Sequence, residues 1–141
     1  MASQDLNSFL AFDFGSQWIG VATGQKITGT ASPLPPLKAN DGIPNWDQIQ
    51  QLIDQWQPDG FIVGIPLNMD GTESEMTLRA RKFKNRLHGR YGLPAFEHDE
   101  RLTSFEAKGH LLKKGKTDFK KQQVDSLAAQ IIFEGWFEQH N

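Results

Sequence analysis

Three short apolar runs open the chain, and the links between them are too short to hold a helix. Ser8 to Phe14, Trp18 to Thr23 and the weaker run Ile27 to Ala31 each read as a strand. Gly15-Ser16 supplies a turn signal after the first. A parallel connection needs a crossover of about a dozen residues or more, so strands joined this closely form an antiparallel meander.

The pattern then changes. Ser32 to Pro44 holds four Pro and one Gly and predicts a loop. Trp46, Ile49, Leu52, Ile53 and Trp56 recur at helical spacing, predicting a helix over 46–56. Phe61 to Ile65 reads as a fourth strand closed by Pro66. Thr72 with Glu75 three residues on makes a capping box, predicting a helix from there to about Tyr91. Pro94 to His98 reads as a fifth strand. Thr103 with Glu106 repeats the capping pattern and predicts a helix toward Leu112. Lys113 to Lys121 reads as a lysine-rich loop. Gln122 to Gln139 reads as a last helix, with Val124, Leu127, Ala128, Ile131 and Ile132 as its apolar stripe. A meander followed by alternating strands and helices predicts an α/β fold, a five-stranded mixed sheet flanked by helices.

The 141 residues are 38% hydrophobic, with ten Phe and four Trp, enough for one core and a single domain over 1–141. The absence of Cys excludes disulfides, thiolate zinc sites and a Cys nucleophile. The start MASQDLNS lacks the basic and apolar parts of a signal peptide, and no apolar run reaches membrane length, so a cytoplasmic protein is expected. The net charge of −2 argues against nucleic-acid binding by bulk charge alone. It leaves a nuclease open, because a cation-binding site is itself acidic. The basic residues are uneven, with none before Lys26 and many between Arg79 and Lys121.

Three acids stand in unusual places. Asp13 lies inside FLAFDFG, where a carboxylate is costly unless paired, hydrogen-bonded or bound to metal; capping the Gly15-Ser16 turn would also account for it. Glu100 follows the fifth predicted strand, at the kind of strand end where ligand sites of α/β sheets collect; for this stretch alone a solvated loop charge is the simpler reading. Asp125 falls in the first turn of the last predicted helix, where an acid also suits the helix dipole. Were the three to converge, their mutual repulsion would call for divalent cations, and oxygen-only ligands suit Mg²⁺ or Mn²⁺. Phosphodiester hydrolysis is the chemistry such a site serves best. His88, His98, His110 and His140 have no metal-ligand spacing and read as ordinary core or surface residues. Ser16, Ser104 and Ser126 have no triad partners.

Four segments together resemble the YqgF family, also called RuvX, of Holliday junction resolvase-like or pre-16S rRNA nucleases. They are FDFGSQWIGVATG, FIVGIPLNMDGTESE, DERLTSFEA and VDSLAAQIIFEGWF, in the expected order over nearly the whole chain. The resemblance implies an RNase H-like fold. It implies that Asp13, Glu100 and Asp125 are the catalytic acids that coordinate Mg²⁺ or Mn²⁺, with Asp99 as a neighbour of the set. It also implies processing of the 5′ end of pre-16S rRNA, or, by older inference from fold, cleavage of branched DNA. A non-catalytic module binding nucleic acid, ribosome-assembly or transcription factors is the remaining alternative. Arg101 is expected to touch a phosphate or instead to pin the acids; Lys113, Lys114 and Lys116, with Lys120 and Lys121, read equally as a solvated loop or as a track for the nucleic-acid backbone. Gly64, Asn68 and Gly71 are expected to shape a loop facing the site. The family usually carries a Lys-Arg pair after the first turn; here Gln17-Trp18 stand instead. DFGSQWIGVA also resembles the first phosphate-binding hairpin of actin-like ATPases and sugar kinases, but those folds need two such domains.

Overall fold

A computed structural model describes residues 6–99 and 121–140, with the side chains of 121–125 excepted. The first apolar run forms β1 (Ser8–Asp13), and the meander continues through β2 (Trp18–Gln25) and β3 (Thr30–Asn40) to a two-residue β4 (Ile43–Pro44). Then follow α1 (Trp46–Trp56), β5 (Gly60–Ile65), α2 (Glu75–Tyr91), β6 (Ala95–Asp99) and α3 (Lys121–His140). The sheet order is β4-β3-β2-β1-β5-β6. β1 pairs antiparallel with β2 and parallel with β5, and β5 pairs parallel with β6. The expected mixed sheet is present, with six strands among the described residues rather than five.

Two local readings change. Ile27 is 93% exposed and belongs to the β2–β3 turn, so the third strand starts at Thr30. It then runs through the proline-rich stretch read as a loop. Proline is tolerated there because β3 has a described partner on its outer side only at Ala39 and Asn40, and a missing N–H on an open edge breaks no ladder. The second change is at α2. Its N-cap is Ser74, boxed with Thr77, in place of Thr72 with Glu75. Thr72 is already engaged: its backbone N–H and its hydroxyl both donate to the Asp70 carboxylate, and a Leu67–Glu73 bridge keeps the chain extended until Ser74. The buried Thr77 hydroxyl donates to the Pro66 carbonyl and accepts from the Ser74 N–H, fixing the entry to the helix. The third predicted helix near Thr103 to Leu112 lies outside the described residues.

Strand alternation divides the core in two. Leu10, Phe12, Val21, Phe61 and Val63 face α1 and α2, meeting Ile49, Ala80, Phe83 and Leu87. Phe9, Ala11, Ala22 and Ile62 face α3, meeting Ala129, Ile132, Phe133 and Trp136. The buried side of α3 is therefore centred on Ala129, Phe133 and Trp136; Leu127 and Ile131, expected in the stripe, are only partly buried.

Candidate active site

β1, β5 and β6 are parallel, so their C-terminal ends share one edge of the sheet. Asp13 is the last residue of β1 and lies on that edge. Its neighbours across the sheet are Gly20 on β2 and Gly64 on β5. Alternation puts it on the α3 side with Phe9 and Ala11, and it is half-buried. The turn that follows is tight: a Cβ on Gly15 would stand 2.4 Å from the Trp18 carbonyl oxygen.

The next residues on the edge come from the loop after β5. Asn68 donates from its side-chain amide to the Thr72 hydroxyl at 2.9 Å, and its backbone N–H donates to the Thr72 carbonyl. Gly71 takes a φ of 87°, which only glycine adopts without strain. Asn68 and Gly71 thus do shape this loop, and turn geometry accounts for both.

β6 ends in Glu97, His98 and Asp99, whose sides alternate. Glu97 turns toward α2, where Lys84 (2.5 Å) and Arg81 (3.0 Å) both reach its carboxylate. Burial pushes the Glu97 carboxyl up, but the hydrogen bonds from Lys84 and Arg81 outweigh it and hold the group below the usual range. Hydrogen bonds to Glu73 and Glu97 in turn raise the Arg81 guanidinium. Asp99 shares that side by alternation, so its carboxylate projects away from the side of the sheet that carries Asp13. His98 is in register with Gly64, and through it with Asp13, and it turns toward α3. It is buried, and its ring occupies the space beside Gly135, where a Cβ would come within 2.9 Å of Nε2. Burial pushes its pKa down, and it stands as a core histidine.

Of the three acids expected to form the site, Asp13 is the one whose side chain is described. Asp125 lies in the backbone of α3, four residues before the buried Ala129, with its side chain outside the described residues. Glu100, Arg101, Lys113, Lys114, Lys116 and Lys120 also lie outside them, as does the side chain of Lys121. Among the described residues no three His, Asp or Glu side chains converge on a metal position. Ser126, read as having no triad partners, is buried and donates to the Leu34 carbonyl at 2.6 Å, tying α3 to β3.

The curled sheet, the helices on both of its faces and an acid at the end of the central strand define a protein of the RNase H-like fold. Solved structures of that shape include Thermus thermophilus RuvC in complex with Holliday junction substrate, at a TM-score of 0.58 and 12% identity over 95% of both chains. Another is the fowlpox virus resolvase with substrate Holliday junction DNA, at 0.57 and 12%, covering 94% of this chain and 98% of that one. At such identity they bear on the fold alone. Residues 7–139 match the family described as RuvX: Holliday junction resolvase, and the chain belongs to it. Curated relatives bear the name "Putative pre-16S rRNA nuclease". The Azotobacter vinelandii protein is 56% identical over 128 residues, 90% of each chain. The protein of Escherichia coli O7:K1 is 56% identical over 133 residues, 94% of this chain and 96% of its own. That of Pseudomonas paraeruginosa is 51% identical over 140 residues, 99% and 97%.

Proposed function

We propose that the chain is a single-domain, metal-dependent nuclease that hydrolyses RNA phosphodiester bonds in 5′-end processing of pre-16S rRNA. The observation that carries this reading is Asp13: a half-buried carboxylate at the C-terminal end of the central strand, on the side of the sheet covered by α3. The names of relatives more than half identical supply the substrate. No described helix is long and apolar enough to cross a membrane, and a cytoplasmic site of action suits that substrate.

The metal set in this reading is Asp13, Glu100 and Asp125. Glu100 is the residue directly after β6, and Asp125 belongs to the helix that covers Asp13's side of the sheet. Their donors are all carboxylate oxygens, which suit Mg²⁺ or Mn²⁺. Asp13, Glu100 and Asp125 would together hold the cations. Such cations, when bound, supply the charge that lets three carboxylates share a pocket, activates a water and stabilises the leaving oxygen. Arg101 and the lysines Lys113, Lys114 and Lys116 are assigned to phosphates of the substrate.

A second reading, cleavage of branched DNA, is favoured by the description of the family. One assay separates them: cleavage of a pre-16S 5′ leader RNA, a short single-stranded RNA and a four-way DNA junction, with Mg²⁺, with Mn²⁺ and with chelator. The leader is expected to be cut in a metal-dependent way, and Asp13→Asn to abolish the cutting. Cleavage that survives Asp13→Asn, or that ignores chelator, defeats the metal reading; cutting of the junction alone transfers the substrate to DNA.

A further inference from the structure

α2 carries six Lys or Arg and a single acid, Glu75, in a chain of net charge −2. Its two flanks treat that charge differently. On the flank toward β6, Arg81 meets Glu73 at 2.6 Å and Glu97 at 3.0 Å, and Lys84 meets Glu97. On the other flank, Arg79, Lys82, Arg86 and Arg90 fall, at helical spacing, within an arc of about 80° centred about 110° around the helix from the buried Ala80 and Leu87. The ends of this row are occupied. Arg79 is held by Asp41 at 3.1 Å and Glu75 at 3.7 Å, and the Arg90 guanidinium lies 4.1 Å over the Trp46 ring. Between them Lys82 and Arg86 are exposed, and among the described residues neither makes an ion pair.

Like charges four residues apart on a helix repel and cost it a few tenths of a kcal/mol. Lys82–Arg86 and Arg86–Arg90 both carry that cost, so helix stability does not explain the row. Its placement suggests what does. β5 ends on the edge that holds Asp13, and α2 starts after the next loop and runs back from that edge. At 1.5 Å per residue, Lys82 stands about 10 Å along the helix and Arg86 about 6 Å further. We propose that the Lys82–Arg86 row is a track for the phosphate backbone of the RNA strand as it leaves the catalytic edge. This rests on the reading of the chain as an RNA nuclease.

The test is the salt dependence of binding to the 5′ leader RNA, measured in the Asp13→Asn background so that no cleavage intervenes. Both side chains are exposed, so Lys82→Gln and Arg86→Gln retain the fold. The double variant is expected to reduce the slope of log K against log salt by about 1.4, near 0.7 for each single-strand phosphate no longer neutralised. Its affinity near physiological salt should fall about tenfold. Lys26→Gln, in the β2–β3 turn beyond the opposite end of β2 from Gly20, Asp13's neighbour, should leave slope and affinity unchanged. An unchanged slope in the double variant overturns the proposal, as does an equal loss in Lys26→Gln or the absence of RNA binding by the chain. Binding that depends on Lys82 and Arg86, without any cleavage by the unsubstituted chain, leaves the track standing and defeats the nuclease reading. Asp13-dependent cleavage with binding indifferent to the two substitutions does the reverse.

Discussion

The two sides of the sheet are built on opposite plans. The side under α1 and α2 is filled by large rings: Phe12 meets Phe61 and, edge-on, Phe83, while Trp46 stacks on Phe83 and Tyr91 closes against Trp46 and Phe61. The side under α3 has more small residues, Ala11, Ala22, Gly24 and Ala31, among its larger Phe9, Ile62 and Phe96, and the helix adds the rings of Phe133 and Trp136. The first plan makes a thick core that anchors the sheet. The second lets a helix backbone approach closely, on the side where Asp13 sits. The larger buried cluster lies on one side and Asp13 on the other.

Substitutions should separate the two. The largest effect on stability belongs to Phe83, 3% exposed and in contact with Phe12, Phe14 and Trp46. Phe83→Ala should cost about 3–5 kcal/mol by urea denaturation; a loss under about 1 kcal/mol would show that the ring-filled side is not the anchor. Gly24→Ala should cost less, about 1–3 kcal/mol, because the new Cβ would stand 2.7 Å from the Phe133 ring, so that the ring, and α3 with it, is expected to shift. That shift should also reduce leader cleavage more than Phe83→Ala does in the population that stays folded. Equal cleavage by folded Gly24→Ala and unsubstituted protein would break the link between close packing of α3 and the site.

The smallest effect is electrostatic and stays on the α2 side. The Glu97 carboxyl is lower in the folded chain than in an ordinary carboxylate, so its contribution is present above the unfolded pKa and fades as pH falls through the folded value. Glu97→Gln should therefore lower stability at neutral pH by under about 1 kcal/mol, with a difference that vanishes in acid. Denaturation midpoints across the acid range check the sign; a difference that grows in acid would reverse it.

Much of this was readable in the chain. The meander, the helix over 46–56 and the strand over 61–65 follow from periodicity within short windows, and Asp13 stood out because an acid inside an apolar run is costly. The errors have a common source. The proline-rich stretch reads as a loop because a window of sequence holds nothing about whether a strand has a neighbour on its outer side. Thr72 reads as a helix cap because the competing hydrogen bonds to Asp70 and Asn68 depend on how the loop closes.

By itself the sequence determined most of the elements and their order, the family and the residues on which a metal reading rests. The tertiary structure decided how the acids are distributed. Asp13 and Asp99 end parallel strands on one edge, yet their side chains turn to opposite sides of the sheet. That division depends on the register between strands some fifty and thirty residues apart, Asp13 with Gly64 and Ile65 with Asp99. Register is set by long-range packing and backbone pairing, which local periodicity does not encode.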